Sequence, residues 1–196
     1  MAADRGNRIH GLEALLKAEA GKGRPPVEAW NPPYCGDVGL AIRSDGVWEY
    51  RGSAINRAAL VKLFASVLRR DADGRYYLVT PVEKVGIRVD DAPFVAVEMQ
   101  RERDDRGALL RFRTNVDDWV DCDRGHRLRF EISAAGGLTP YLHVRADLWA
   151  KVTRALYYDL VDMGEERMID GEEMFGVESG GEFFAMADAE QVRNAR

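Results

Sequence analysis

The sequence predicts an α+β fold made of two repeated units, each a long helix packed on a curved antiparallel sheet. Short runs of alternating apolar and polar residues, separated by turn signals, fill the middle of the chain and predict strands. Two longer stretches, residues 56–70 and 147–163, carry apolar residues at helical spacing. An amphipathic helix laid on the apolar face of an antiparallel sheet is typical of this fold class.

A possible internal repeat underlies the two units. A hairpin is predicted at residues 38–42 and 47–50, around Ser44-Asp45-Gly46, and the helix at 56–70 follows it, with Asn56 as its cap. The order of strand, turn, strand and helix recurs at residues 127–163. An offset of 88 residues aligns Leu60 with Leu148 and Arg57 with Arg145. Such matches indicate duplication but also arise by chance, so both explanations stay open.

Composition excludes several classes of protein. The chain has 196 residues, of which 46% are hydrophobic and 31% charged, which is typical of a globular protein. The net charge of -5 argues against a nucleic-acid partner. Two cysteines, Cys35 and Cys122, cannot form a disulfide framework. Because neither a secretory signal nor an apolar run of membrane-spanning length is present, we expect a cytoplasmic protein.

Four segments are expected along the chain. Residues 1–33 form an N-terminal helix, at 11–20, and a Pro-rich link. Residues 34–93 and 94–164 form the two α+β units. Residues 165–196 form an acidic, Gly-rich segment packed on the body, which we expect to be loop-like and to end in a short helix at residues 182–196.

No catalytic or metal-binding signature is complete. The sequence matches none of three known patterns: a phosphate-binding loop, the Gly-flanked nucleophilic Ser of a hydrolase, and a calcium-binding loop. We interpret Asp71-Ala72-Asp73-Gly74 as a turn. Cys122 and His126, with His143 on a neighbouring strand, supply only one of the two tight ligand pairs usual in structural zinc sites. We therefore expect no catalytic residue, metal or cofactor.

Motifs spread over residues 30–184 resemble those of one bacterial family. The most specific are Thr80-Pro81-Val82-Glu83-Lys84 and Asp90-Asp91-Ala92-Pro93-Phe94. Others are Trp30-Asn31-Pro32, Cys35-Gly36-Asp37, Asp45-Gly46 with Trp48 and Tyr50, Gly52-Ser53 with Arg57, Thr114-Asn115, Tyr157-Tyr158 and Ser179-Gly180-Gly181. On these motifs the chain resembles the bacterial domain-of-unknown-function family 1285.

The resemblance implies a duplicated α+β architecture whose C-terminal unit has a superficial likeness to pleckstrin-homology folds. It also implies a binding site between the two units and a role in signal transduction. It brings no catalytic residues with it, and fold alone does not fix function.

Arginine and aromatic residues suggest what such a site would bind. Guanidinium groups suit phosphates, and a neighbouring ring can stack on a ligand. Our first hypothesis is a non-enzymatic ligand-binding or regulatory protein whose inter-unit site holds an anionic small molecule. Arg57 and Arg145 would hold the anion, and Trp48 would stack. The expected ligand-binding residues are Trp48, Arg57, Glu83, Lys84, Asp90, Asn115 and Arg145. The alternative is that these residues are structural, with the arginine side chains lying over the core and the carboxylates forming hydrogen bonds in turns.

Two other function classes stay open. A protein-interaction adaptor would use exposed sheet edges and the acidic segment after Met163, and such edges are compatible with a dimer. A hydrolase or transferase would use the carboxylates of Glu83, Asp90 and Asp91, but no activated nucleophile accompanies them.

Overall fold

The computed structural model describes residues 24–104, 107–132 and 137–194. They form two compact units, the first of residues 24–93 and 146–148 and the second of the other described residues. The helix predicted at residues 11–20 lies outside the described residues. In the described part of the chain, no helix is both long and apolar enough to cross a membrane.

The first unit contains a six-stranded sheet and one α-helix. After a 3₁₀ turn the elements are β1 (Tyr34–Ile42), β2 (Trp48–Tyr50), β3 (Ser53–Ala54), α1 (Ala58–Ser66), β4 (Leu68–Arg70), β5 (Tyr76–Val79) and β6 (Lys84–Val89). The strand order is β3-β2-β1-β6-β5-β4, with β1 and β6 parallel and the other neighbours antiparallel. The sheet is thus two antiparallel meanders joined by one parallel pair, and it contains the predicted first hairpin.

The second unit repeats this sheet. Its elements are β7 (Phe94–Asp104), β8 (Gly107–Thr114), β9 (Trp119–Cys122), β10 (Leu128–Ile132), β11 (Leu138–Arg145), β12 (Leu148–Val152) and α2 (Arg154–Asp162). The strand order is β10-β11-β12-β7-β8-β9, with β7 parallel to β12. Numbered within its own unit, this is the order of the first sheet. The predicted duplication is confirmed, whereas the likeness to pleckstrin-homology folds stays a prediction.

The two helices occupy different places in the repeat. Helix α1 joins the third and fourth strands of its unit, whereas α2 follows the sixth. The predicted alignment at an offset of 88 residues is therefore wrong in detail, because Leu60 lies in α1 and Leu148 in β12. The two units therefore share the order of strands in their sheets, but they do not share the order of strand, turn, strand and helix that the sequence predicted.

Both helices are shorter than predicted, because some of the apolar residues in each predicted helix belong to a neighbouring strand. Helix α1 ends at Ser66, and Leu68–Arg70 pairs with β5 as a strand. The cap of α1 is Arg57 and not Asn56. The predicted helix at 147–163 begins only at Arg154, since Leu148–Val152 is a strand that buries alternate residues. Apolar residues four apart satisfy both the helical and the strand pattern.

The C-terminal segment forms a third sheet and is not loop-like. Its strands are β13 (Glu165–Ile169), β14 (Glu172–Ser179) and β15 (Glu182–Asp188), all antiparallel, and a short helix, α3 (Ala189–Asn194), follows. The predicted helix at residues 182–196 is therefore wrong for residues 182–188, which form β15. Ser179 connects this sheet to the six-stranded sheet of the same unit, because its Oγ accepts from Leu110 N at 2.8 Å and donates to Cys122 O at 2.6 Å.

Large apolar side chains fill the space between α1 and one face of the first sheet. Trp48 and Phe64 are at most 1% exposed, and their ring centroids lie 6.1 Å apart. Ile42, paired with Trp48 across β1 and β2, is fully buried. Residues at alternate strand positions point to the opposite face. That face is polar and carries the candidate site.

Candidate functional site

A row of polar residues crosses the first sheet on the face opposite α1. Asp37 in β1 pairs with Gly86 in β6, Gly86 with Tyr77 in β5, and Tyr77 with Arg69 in β4. Directly paired residues share a face of a sheet. The row therefore brings a carboxylate, a phenol and a guanidinium together from strands that are distant in sequence.

The Asp37 carboxylate lies over Gly86. A Cβ at position 86 would come within 1.8 Å of Asp37 Oδ1, so glycine leaves the space that the carboxylate fills. The same oxygen accepts from Tyr34 Oη at 2.9 Å and from the Arg75 guanidinium at 3.1 Å. The guanidinium also lies over the rings of Tyr34 and Tyr77, at 5.7 and 5.5 Å from their centroids. Arg75 is thereby oriented from three sides.

A cavity of about 780 Å³ opens beside Asp37. Ligand-binding cavities in proteins typically measure about 300–1,000 Å³. Its charged lining side chains are Asp37, Glu49, Arg75 and Arg88. The lining also includes glycines at positions 39, 52 and 74, all with positive φ, which expose backbone without side chains. A ligand can therefore approach main-chain groups as well as charges.

Two arginines, Arg75 and Arg88, line this cavity. Arg88 lies in β6, and Arg75 directly precedes β5, the strand that pairs with β6. Both side chains are more than half exposed. Each arginine pairs with a carboxylate, Asp37 for Arg75 and Asp90 for Arg88, both at 3.1 Å.

A half-buried ion network supports the row from the β4 side. Asp71 accepts from Arg69 Nε at 2.6 Å and from Lys84 Nζ at 2.8 Å. Burial alone would raise the pKa of the Asp71 carboxyl, but the hydrogen bonds from Arg69 and Lys84 outweigh it and hold that pKa below its ordinary value. Arg69, itself 8% exposed, also donates to the carbonyls of Val27 and Trp30 and so fixes the chain that precedes β1.

The predicted turn at residues 71–74 positions Tyr77 and Arg75. Gly74 N donates to Asp71 O at 2.9 Å, and Asp73 accepts from Arg75 N at 2.9 Å. Tyr77 Oη donates to Asp73 Oδ2 at 2.6 Å, which lowers the pKa of the Asp73 carboxyl and raises that of the Tyr77 phenol. The turn thus supplies a hydrogen-bonding group to Tyr77.

Comparison with known proteins identifies the family. Residues 25–92 match the model described as "Domain of unknown function (DUF1285), N-terminal domain", and residues 93–186 match "Protein of unknown function (DUF1285), C-terminal domain". The chain belongs to the DUF1285 family. The boundary between the two family models falls between β6 and β7.

Solved structures of two DUF1285 family proteins resemble this one. The protein from Silicibacter pomeroyi DSS-3 is 46% identical, with a TM-score of 0.83, over 93% of this chain and 97% of that chain. The protein from Shewanella baltica OS155 is 33% identical, with a TM-score of 0.50, over 62% of this chain and 88% of that chain. Among curated proteins, none matches this chain.

Of the predicted site residues, only Lys84 belongs to the ion network that Arg69, Asp71 and Lys84 form on the first sheet. Its ammonium lies 4.4 Å from the centroid of the Tyr77 ring and pairs with Asp71. Glu83 belongs to the turn between β5 and β6, where its carbonyl accepts from Thr80 N at 2.9 Å. Asp90 is exposed and reaches the cavity only through its ion pair with Arg88.

Trp48 and Arg57 have structural surroundings. The Trp48 ring is 1% exposed against Phe64, so in this structure it presents no face to a ligand. Its indole N–H is buried without a hydrogen-bond acceptor among the described residues. Arg57 is the exposed N-cap residue of α1, and its carbonyl accepts from Leu60 N at 2.9 Å.

Asn115 and Arg145 lie in the second unit. Asn115 exchanges two hydrogen bonds with the main chain of Val95, its Oδ1 accepting at 3.0 Å and its N–H donating at 2.8 Å. Arg145 lies over the Phe94 ring at 4.9 Å and pairs with Asp118 at 3.3 Å. A common site for Arg57 and Arg145 stays a prediction.

Several DUF1285 motif residues stabilise turns. The Thr80 hydroxyl accepts from Glu83 N at 3.1 Å and donates to Glu83 O at 3.2 Å, which closes the turn of the Thr80–Lys84 motif. Gly180 follows Ser179 at a φ of 58°, and its N–H donates to Ala108 O at 2.8 Å. These motif residues have structural roles in turns, so they do not by themselves mark a ligand site.

Sequence reasoning did not identify Asp37, Arg75 and Arg88 as site residues. Asp37 follows Gly36 in a quoted motif, and Arg75 follows the turn at residues 71–74. The signal that could have found them is strand pairing, since Asp37 and Arg75 meet only when β1 and β5 flank β6.

Proposed function

We propose that this DUF1285 protein is a non-enzymatic binding protein whose first-unit cavity holds a small molecule with an anionic group. The observation that supports this most is that two arginines, Arg75 and Arg88, line the same cavity. A phosphate or carboxylate bound there would receive charge-assisted hydrogen bonds from their guanidiniums.

The carboxylates in the cavity lining further restrict the class of ligand that we expect to bind. Asp37 and Glu49 balance the two arginines, so the charged lining side chains are equally divided between the two signs. A purely anionic ligand would meet repulsion from Asp37 beside Arg75. A ligand that carries an amino or hydroxyl donor next to its anionic group would satisfy both, since an ionised carboxylate only accepts hydrogen bonds. The proposed class is therefore zwitterionic or hydroxylated small acids and phosphate esters.

Support for binding over catalysis comes from the same side chains. Arginine is effectively always protonated and cannot serve as a general base or acid. Of the three carboxylates that a hydrolase would use, Asp90 forms an ion pair with Arg88 at 3.1 Å. A regulatory role in signal transduction, which the family resemblance implies, is compatible with a binding protein of this kind.

A thermal-shift screen tests the proposal. The panel contains amino acids, phosphoamino acids, sugar phosphates, dicarboxylates and nucleotides. A ligand at about 100 times its Kd adds about 2.7 kcal/mol, which raises the Tm of a chain of this size by roughly 5–10 °C. We expect Arg88→Gln to reduce the shift to about half or less, since a tenfold weaker affinity leaves about 1.4 kcal/mol of stabilisation at the same ligand concentration.

Arg101→Gln is the matched control, because it removes one exposed arginine from β7, outside the cavity. It should keep the shift. A panel that leaves Tm unchanged for every compound, or a shift of undiminished size in Arg88→Gln, contradicts the proposal.

A second candidate, a protein-interaction adaptor, is favoured by strand β13. It lies at one edge of the third sheet, and its Met168 and Ile169 are 62% and 36% exposed. An exposed strand edge can accept an extended segment of a partner. Capture of partners with wild-type protein, lost on Met168→Lys, would support the adaptor. Capture unaffected by Met168→Lys would contradict this use of β13.

A further inference from the structure

A second cavity lies wholly within the second unit. Its volume is about 440 Å³, and it lies where β11, β12 and α2 meet. The lining side chains with polar groups are Thr139, Lys151, Arg154, Tyr157 and Tyr158. Two are cationic and none is a carboxylate, so the lining differs in charge from the cavity of the first unit. It shares no residue with that cavity.

Arg154 is held in an orientation that leaves most of its donors open. Its Nε donates to Tyr158 Oη at 2.9 Å, and its guanidinium lies 5.6 Å from the Tyr158 ring centroid. Arginine has five N–H donors, and this bond uses one. In the described part of the chain no carboxylate pairs with Arg154, in contrast to Arg75, Arg88 and Arg145.

Helix α2 presents the two tyrosines to the same cavity as Arg154. Positions three and four residues apart lie on neighbouring parts of a helix surface, which groups Arg154, Tyr157 and Tyr158. The two phenol rings lie 5.9 Å apart at their centroids, inclined by 38°. Tyr158 is 51% exposed, so its ring remains accessible from solvent. Rings of this kind offer stacking surfaces beside the cations.

We propose that this cavity is a second ligand site, which binds a small phosphate monoester carrying a planar ring. The phosphate would contact the Arg154 guanidinium and the Lys151 ammonium, and the ring would contact Tyr157 or Tyr158. A phosphate suits this lining, because Lys151 and Arg154 supply two cationic groups and none of the lining side chains is a carboxylate. The site is independent of the function proposed for the first unit.

Titration calorimetry with phenyl phosphate and with inorganic phosphate tests the site. The wild type should bind phenyl phosphate about fivefold or more tighter than inorganic phosphate, since stacking on an aromatic side chain contributes that much or more. Arg154→Gln should weaken both by about tenfold or more. Tyr157→Leu combined with Tyr158→Leu should remove the preference for the ring and leave inorganic phosphate binding measurable.

Arg127→Gln is the control, since it removes one exposed arginine of the same unit outside the cavity. It should leave both affinities within about twofold of the wild type. The proposal is overturned if phenyl phosphate does not bind the wild type, or if Arg127→Gln weakens binding as much as Arg154→Gln. Binding that survives Arg154→Gln but is lost in Arg88→Gln also overturns it, and places the ligand in the first unit instead.

Discussion

The carboxylate of Asp37 occupies the space that a side chain at position 86 would need. Cβ of an alanine there would lie 1.8 Å from Asp37 Oδ1, far inside contact distance. Gly86→Ala must therefore displace the carboxylate from Tyr34 and Arg75. We expect Gly86→Ala to lower the free energy of unfolding in urea.

A double-mutant cycle isolates that contact. In the Asp37→Ala background the clash is gone, so Gly86→Ala should cost about 1 kcal/mol less than in the wild type, within the range for residues in contact. Equal costs in both backgrounds would show that the carboxylate does not lie over position 86.

Asp71 should make the stability of the protein depend on acidic pH. Its folded-state pKa is lowered by Arg69 and Lys84, so its contribution is present above the unfolded pKa, about 3.9, and is lost as pH falls through the folded value. Asp71→Asn should cost about 1–3 kcal/mol at pH 7, as for hydrogen bonds to charged groups. Urea unfolding at a series of pH values from neutral to strongly acidic measures this.

The difference between wild type and Asp71→Asn should shrink as the pH falls below about 4. Asp45→Asn is a matched control, because the Asp45 side chain is 52% exposed and its pair with Arg43 is a surface one. It should cost at most about 1 kcal/mol at any pH. A gap for Asp71→Asn that stays constant with pH would contradict the lowered pKa.

The two cysteines should differ sharply in reactivity. Cys122 is fully buried, and burial raises the pKa of its thiol to about 12, so almost no thiolate is present at pH 8. Cys35 is half-buried in β1. N-ethylmaleimide should label the folded protein at Cys35 and label both residues in urea, as measured by mass spectrometry of peptides. Labelling of Cys122 in the folded Cys35→Ser variant would contradict the packing around β9.

Trp48 should behave as a core residue. Trp48→Ala is expected to cost about 3–5 kcal/mol of unfolding free energy, as for other large aromatic side chains removed from a core. Trp119, which is 40% exposed on β9, supplies the comparison, and Trp119→Ala should cost about 1 kcal/mol or less. A small cost for Trp48→Ala, together with loss of ligand binding, would return Trp48 to the role that the sequence suggested.

Local patterns predicted part of this fold and missed another part. The alternation of residues 38–42 and the turn at Ser44-Asp45-Gly46 correctly indicated the first hairpin. The Asp170-Gly171 pair, with φ values of 51° and 90°, is a strong hairpin signal, but the many glycines of this segment predict a loop instead. Gly180 and Gly181 turn the next hairpin in the same way, also with positive φ.

The candidate site could not be predicted from the sequence, because its residues come together only through the order of strands in the sheet. Asp37 and Arg75 are brought together because β6, which is last in its unit, inserts between β1 and β5. No local pattern encodes that parallel pairing. The aromatic and charged residues that sequence analysis favoured, such as Trp48 and Arg145, instead lie against the rings of Phe64 and Phe94.

The most direct test of ligand binding in the first unit is titration calorimetry of the panel's strongest ligand against four proteins. These are the wild type, Arg75→Gln, Arg88→Gln and the control Arg101→Gln. We predict that each cavity variant weakens binding by about tenfold or more, because each loses hydrogen bonds to a charged group, while the control binds as the wild type does. Unchanged affinity in both cavity variants would contradict the assignment of this cavity as the ligand site.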